Sequence, residues 1–250
     1  MCDGLEIDYT FDGTTRATSM TSTMAWDIIW SLLVREDRTQ GAFQVDEHSM
    51  KGSDVDAHLR NTESPYSFCI SWHGCEADLV SLGNHDVCVL RVKFDQPRAM
   101  QLWEPWVDQL TQSSGFISAR LFDTEYELWQ NARDPLQYEA AGRSYEGLPM
   151  KSNELPPPLD RQVIDTTHNP GRRELRNGYI EAIGAAMWIS PIFVERTGVD
   201  LVAIDQLDGV DVAHGSSGIV KLTAGDRCFS QPDGKEAALQ DALRQGLYFS

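Results

Sequence analysis

The residues able to do chemistry fall into a few groups, of which the carboxylates are the largest. Asp123, Glu125 and Glu127 form one cluster; Asp200, Asp205, Asp208 and Asp211 form another. Two carboxylates held at a fixed separation in a cleft support glycoside or metal-dependent chemistry. Spread over a surface, the same residues make a face for a basic partner. A second group is Cys69, His73 and Cys75, which alternation places on one strand face, with His85 and Cys88 nearby. Thiolates and imidazoles gathered by a hairpin can hold zinc. Structural zinc sites, however, use tight pairs such as Cys-x2-Cys, and this sequence has none. The spacing therefore predicts no metal site, and buried free cysteines with an edge histidine instead.

Nucleophiles and phosphate cradles are equally poorly signalled. Ser71-Trp72-His73 lacks the Gly-x-Ser-x-Gly elbow, and no cysteine lies in an activating motif. There is no Gly-x-x-x-x-Gly-Lys-Ser/Thr, and no Gly-x-Gly-x-x-Gly follows a strand; Gly215-Ser216-Ser217-Gly218 reads as a hairpin turn. No catalytic residue and no cofactor are expected.

Bulk charge says more. Lys and Arg number 21 against 38 Asp and Glu, a net charge of −17. Such a surface repels phosphate backbones and anionic membranes, so neither nucleic acid nor membrane is an expected partner, whereas a basic protein is. Apolar runs such as Ile28-Ile29-Trp30 are far too short to cross a bilayer. The opening residues lack the basic and apolar stretches of a signal peptide, and five cysteines suit reduced thiols, so a cytoplasmic location is expected.

These groups need a scaffold. Leu5, Ile7, Tyr9 and Phe11 alternate with Glu6, Asp8, Thr10 and Asp12, predicting a half-buried strand with one acidic face. Ser19 or Thr21 caps a helix carrying Met24, Trp26, Ile29, Trp30 and Leu33. Residues 44–64 read as a polar loop. Tyr66, Phe68, Ile70 and Trp72 alternate in a second strand, and residues 86–94 form a third, a meander with one wet face. A helix begins near Pro97 and is kinked or broken at Pro105. Phe116 to Phe122 is another strand, after which Asp123 caps a short helix through Trp129. Prolines make residues 133–170 irregular. Tyr179–Ser190 is open between strand and helix; Val210–His214 and Ile219–Leu222 form a hairpin. A last helix spans Gly234 to Tyr248 with Ala238, Leu239, Ala242, Leu243 and Leu247 inward. Seven tryptophans serve the core by default. The expectation is one α+β domain over residues 1–250, a mainly antiparallel or mixed sheet covered by helices.

Four residue groups carry a family resemblance. Tyr9-Thr10-Phe11 precedes the tryptophan-bearing helix, and Phe68-Cys69-Ile70-Ser71-Trp72-His73-Gly74 forms an inner strand. Gly184-Ala185-Ala186-Met187-Trp188-Ile189-Ser190 follows the irregular region, and Gly218-Ile219-Val220-Lys221-Leu222-Thr223 precedes the last helix. In this order the chain resembles the immunity protein 52 family. The resemblance implies a cytoplasmic α+β inhibitor of a secreted nuclease toxin of restriction-endonuclease-like fold, cargo of type VI or contact-dependent secretion.

The resulting expectation is a binding protein, not an enzyme, whose partner is a cognate, basic, DNA-cleaving toxin. The binding face is placed at Asp200, Asp205, Asp208 and Asp211, with Asp123, Glu125 and Glu127 second. Two alternatives stay open: an enzyme using Asp123, Glu125 and His73, and an adaptor docking through Gly147 to Pro170.

Overall fold

The computed structural model describes residues 5–15, 17–94 and 100–248. Cys2 and the helix start at Pro97 lie outside them. The first strand is β1 (Leu5–Asp12), followed by α1 (Ser22–Arg35), whose N-cap Thr21 accepts a hydrogen bond from the Met24 amide. Next come β2 (Ala42–Val45), β3 (His48–Lys51) and α2 (Gly52–Arg60). The expected loop at 44–64 is thus a hairpin and a helix. Its strands are four residues long and turn only Phe43 and Val45 fully inward, too few positions to establish a period.

The meander follows as β4 (Phe68–Trp72), β5 (Cys75–Leu82) and β6 (Val87–Phe94). Sequence reading missed β5. His73 and Gly74 form the tight turn between β4 and β5, both with positive φ, so the alternation that put Cys69, His73 and Cys75 on one face does not continue. Beyond the undescribed residues, α3 (Glu104–Leu110) starts with Pro105 in its first turn, which makes that proline the break expected of it.

β7 (Phe116–Asp123) runs directly into α4 (Thr124–Asn131), capped by Asp123. The stretch at 133–170 is less irregular than its prolines suggest. It contains α5 (Pro135–Ala140) and a small hairpin of β8 (Met150–Ser152) and β9 (Gln162–Ile164). β10 (Glu174–Arg176) pairs with β11 (Tyr179–Glu181), and β12 (Ala186–Ile189) enters the main sheet, which resolves Tyr179–Ser190 as two strands. The chain ends with α6 (Pro191–Thr197), α7 (Leu201–Asp205), the hairpin β13 (Asp211–His214) and β14 (Val220–Thr223), and α8 (Gly234–Tyr248).

Ten strands make one antiparallel sheet in the order β13-β14-β12-β7-β1-β6-β5-β4-β2-β3, which places β1 near its centre. This is an α+β fold. One face carries Ile7, Tyr9 and Phe11 and is covered by α1 and α3; Trp103 and Trp106 meet the Phe94 ring edge-on, and Trp26 packs on Phe43. Five of the seven tryptophans are buried, and Trp30 and Trp129 are partly buried, so all serve packing.

The opposite face of β1 corrects the expectation of a wet acidic row. Glu6, Asp8, Thr10 and Asp12 are all buried. Along α8, Leu243 and Leu247 face inward as expected, but Ala238 is exposed and the long polar Gln240 and Arg244 are buried. The buried charges have one cause: ion pairs are packed into this side of the sheet, beside a small apolar cluster of Val89, Ile180 and Ala182.

Candidate functional site

Register creates the charged face. In β1 Asp8 lies opposite Arg91 of β6 on one side and Arg120 of β7 on the other; Glu6 lies opposite Lys93 and Phe122. Directly opposite residues share a face, so two central carboxylates meet two arginines and a lysine. The Arg91 Nε is 2.9 Å from Asp8 Oδ1 and also pairs with Glu6. Arg120 donates from Nη2 to Asp8 Oδ2 at 2.9 Å. Because Asp123 stops β7 and caps α4, the helix folds back over the strand and brings Glu127 onto Arg120, bonded at 2.7 and 3.0 Å. Arg173 approaches from the segment before β10, 3.8 Å from Asp8 and 3.9 Å from Glu127.

This network floors a cleft of about 490 Å³, lined among others by Glu6, Arg91, Lys93, Phe122, Leu128 and Arg173. Burial pushes Asp8 up, but Arg120 and Arg91 outweigh it and hold the carboxyl below the usual range. Glu6 goes the other way: burial first, then the neighbouring Asp8 charge, raise it to about 7 despite Arg91. The cleft therefore holds one carboxylate that exchanges its proton near neutrality, beside anions locked by arginine.

The two acidic groups seen in the sequence are placed very differently. Asp123 is buried as a helix cap, Glu127 is bound to Arg120, and Glu125 pairs with Arg143 at 2.9 Å. That group is turned to internal use. Asp200 caps α7, accepting from the amides of Val202 and Ala203 at 2.9 and 3.2 Å. Asp205 ends the same helix, Asp208 lies in the following turn and Asp211 opens β13. All four are exposed, and none has an ion-pair partner among the described residues. Among them lies Val202, 68% exposed, while Ile204 anchors α7 inward. An exposed apolar side chain on a short helix with unpaired acids at both ends has the makeup of a docking patch.

The cysteine and histidine set does not assemble. Cys75 faces the core with Trp72, Cys88 is buried and donates to the Met20 carbonyl, and the His73 ring meets the Gln40 carbonyl at the β4–β5 turn. His73 is also remote in the fold from α4, so it does not join Asp123 and Glu125. Cys69 instead neighbours Glu76 and Asp78, their ligand atoms within 4.8 Å of one another. Burial and then Asp78 push that thiol up to about 12.

Sequence reasoning missed the arginines. Arg120 and Arg91 interrupt apolar strands, which was the available signal, and a buried arginine needs an acid partner. A second network lies beside the first: Arg244 of α8 bonds Glu181 at 2.8 Å with both side chains 2% exposed, and donates to the carbonyls of Pro170 and Arg172. A third joins Arg196 to Asp12 at 2.7 Å. Together they fasten the segment from Pro170 to Glu181 across the sheet.

The comparisons bear on the fold as a whole. No family model matches the chain, and no curated protein matches it. Among solved structures, the chain is similar to the Pseudomonas aeruginosa T6SS protein PA0821. The two superpose with a TM-score of 0.55 over 98% of this chain and 73% of that one, at 12% sequence identity. They share a fold. Within the described residues, no helix of this fold is long and apolar enough to cross a membrane.

Proposed function

We propose that this chain is a cytoplasmic immunity protein that binds and neutralises a secreted nuclease toxin of a type VI or related system. The observation that carries the reading is the exposed, unpaired acidic set Asp200, Asp205, Asp208 and Asp211, with the exposed Val202 on the same segment, in a chain of net charge −17. A DNA-cleaving domain needs a basic groove, and an acidic patch with an exposed apolar side chain complements one. The fold shared with a T6SS protein supports the same setting. The acids speed encounter, and Val202 supplies apolar contact once the partner has docked.

The test is to co-express the chain with the protein encoded beside it, purify at low and high salt, and assay DNA cleavage by that neighbour. A stable one-to-one complex that suppresses cleavage supports the reading; a neighbour with no affinity for the chain overturns it.

A second reading rests on Glu6. A carboxyl titrating near neutrality in a cleft with an apolar wall is suited to proton transfer, which would make the chain an enzyme. Turnover of a small substrate that disappears in Glu6→Gln, with the fold retained, would favour it.

A further inference from the structure

A sheet that is not closed has two edges, and here they differ. At one edge, β13 pairs only with β14, with Asp211 opposite Thr223 and Ala213 opposite Lys221. The Gly215 amide donates to the Ile219 carbonyl at 2.8 Å, which makes that pair a hydrogen-bonded one. Alternation along an antiparallel ladder then directs the amides and carbonyls of Ala213 and Asp211 towards β14, and those of Val212 and His214 outward. The outward groups meet no partner among the described residues. At the far edge, β3 ends in Lys51, the kind of side chain that blunts edge pairing.

The face of β13 that bears Asp211 and Ala213 continues through Lys221 to Trp188, since Ala213 is opposite Lys221 and Lys221 is opposite Trp188. Next to it lies a cleft of about 420 Å³ lined by Asp108, Trp188, Ala213, His214, Ile219 and Lys221. Glu104 neutralises Lys221. Asp108 and Asp211 are exposed and have no ion-pair partner among the described residues. α7 also packs against β13 and brings Asp200 and Asp205 to its neighbourhood. The edge is thus open in its hydrogen bonding and acidic in every charge left unpaired around it.

We propose that β13 is a strand-addition site: an extended, lysine- or arginine-bearing segment of a partner protein pairs with Val212 and His214 as an eleventh strand. One of its basic side chains lies over the Trp188 cleft towards Asp108. The residue opposite Ala213 occupies a non-hydrogen-bonded position, where cross-strand side chains come closest, and it shares the face of the cleft. Main-chain bonds supply affinity and the alternate side chains supply selection for positive charge. This rests on the reading of the chain as a binder of a basic protein, and it names the surface and the mode.

The test uses the full chain and a synthetic ten-residue peptide alternating lysine and valine, with a glutamate-for-lysine peptide as control. Amide hydrogen exchange is followed residue by residue. The lysine peptide is expected to slow exchange at Val212 and His214 by about tenfold or more, to leave β3 unchanged, and to be matched by no effect of the glutamate peptide. Val212→Pro removes one outward amide and should abolish the protection. Asp108→Lys combined with Asp211→Lys, which changes only exposed side chains, should weaken binding about tenfold with the melting curve retained. Equal protection by both peptides, protection at β3, no protection, or a β13-to-β13 dimer of the chain alone would each overturn the proposal. If the basic neighbour binds while these amides stay fast, strand addition fails and the immunity reading survives. If the lysine peptide protects them but the neighbour does not bind, the converse holds.

Discussion

Arg120 and Asp8 face each other across neighbouring central strands, Nη2 to Oδ2 at 2.9 Å, with side chains only 6% and 2% exposed. Arg120 also donates to Glu127 from both Nη1 and Nη2, so one guanidinium compensates two carboxylates inside the fold. Removing it leaves Asp8 to Arg91 and Glu127 to the more distant Arg173. Arg120→Met is expected to lose about 2–4 kcal/mol in urea denaturation, below the roughly 3–5 kcal/mol of a wholly uncompensated buried charge because Arg91 still holds Asp8. Adding Asp8→Asn should restore part of that loss, and no recovery would show that the pair is not energetically coupled.

Stability should peak in mildly acidic solution. Asp12 is depressed to about 2: burial opposes ionisation, but hydrogen bonds from Arg196, Thr18 and Thr14 outweigh it. Its contribution is complete above the unfolded value of 3.8 and is lost as pH falls towards 2, and Asp8, also depressed, acts in the same sense. Glu6 is raised from 4.5 to about 7, so its favourable contribution is complete below 4.5 and is lost as pH rises through 7. The two senses place the maximum at about pH 4, between the unfolded values of 3.8 and 4.5, with a decline from there towards pH 7 in a melting-temperature profile. Glu6→Gln should flatten the alkaline limb and leave the acid limb in place.

Charge reversal at the exposed acids should separate association from folding. In Asp205→Lys, Asp208→Lys and Asp211→Lys combined, stability should change by less than about 1 kcal/mol, because no partner is lost. Association with a basic toxin should slow by about tenfold or more at low salt, and the difference should shrink near 0.5 M salt as screening sets in, on the order of 4 Å. Asp200 needs a milder change, Asp200→Asn, because its oxygen also caps α7. Equal rates for wild type and the triple variant would remove the acidic face from the mechanism.

Gly184 should tolerate nothing larger. A Cβ there would lie 2.7 Å from the Leu121 carbonyl oxygen and 3.0 Å from the Arg120 Cβ, and backbone cannot swing aside. Gly184→Ala is expected to cost about 1–3 kcal/mol, read by thermal or urea unfolding. Gly83→Ala, where a Cβ meets open space, is the control and should be within about 0.5 kcal/mol of the parent.

Much of the scaffold was legible because the physics is local. Alternation at Leu5–Asp12 and Phe68–Trp72, the caps Thr21 and Asp123, Pro105 at a helix start and the turn before Val220 each express themselves within a few residues. The short pairs β2–β3 and β8–β9 escaped because strands of three or four residues carry too little pattern. Of the candidate site, the exposed set at Asp200–Asp211 could be named in advance, since helix capping and turn chemistry keep such residues outside.

By itself, then, the sequence determined an acidic α+β protein and the period of its strands, and it named two acidic groups without deciding which is exposed. Only the tertiary structure decided that the row Glu6, Asp8, Thr10 and Asp12 is interior. Alternation reports which residues share a face, and both faces of β1 have the same period whether the second is covered or wet. What covers it comes from far along the chain: Arg120 lies 112 positions after Asp8 and Arg196 lies 184 after Asp12. Likewise, only strand order made β13 an edge. A strand's neighbours, and the carbonyls and amides it leaves unpaired, are set by long-range pairing that no local pattern encodes.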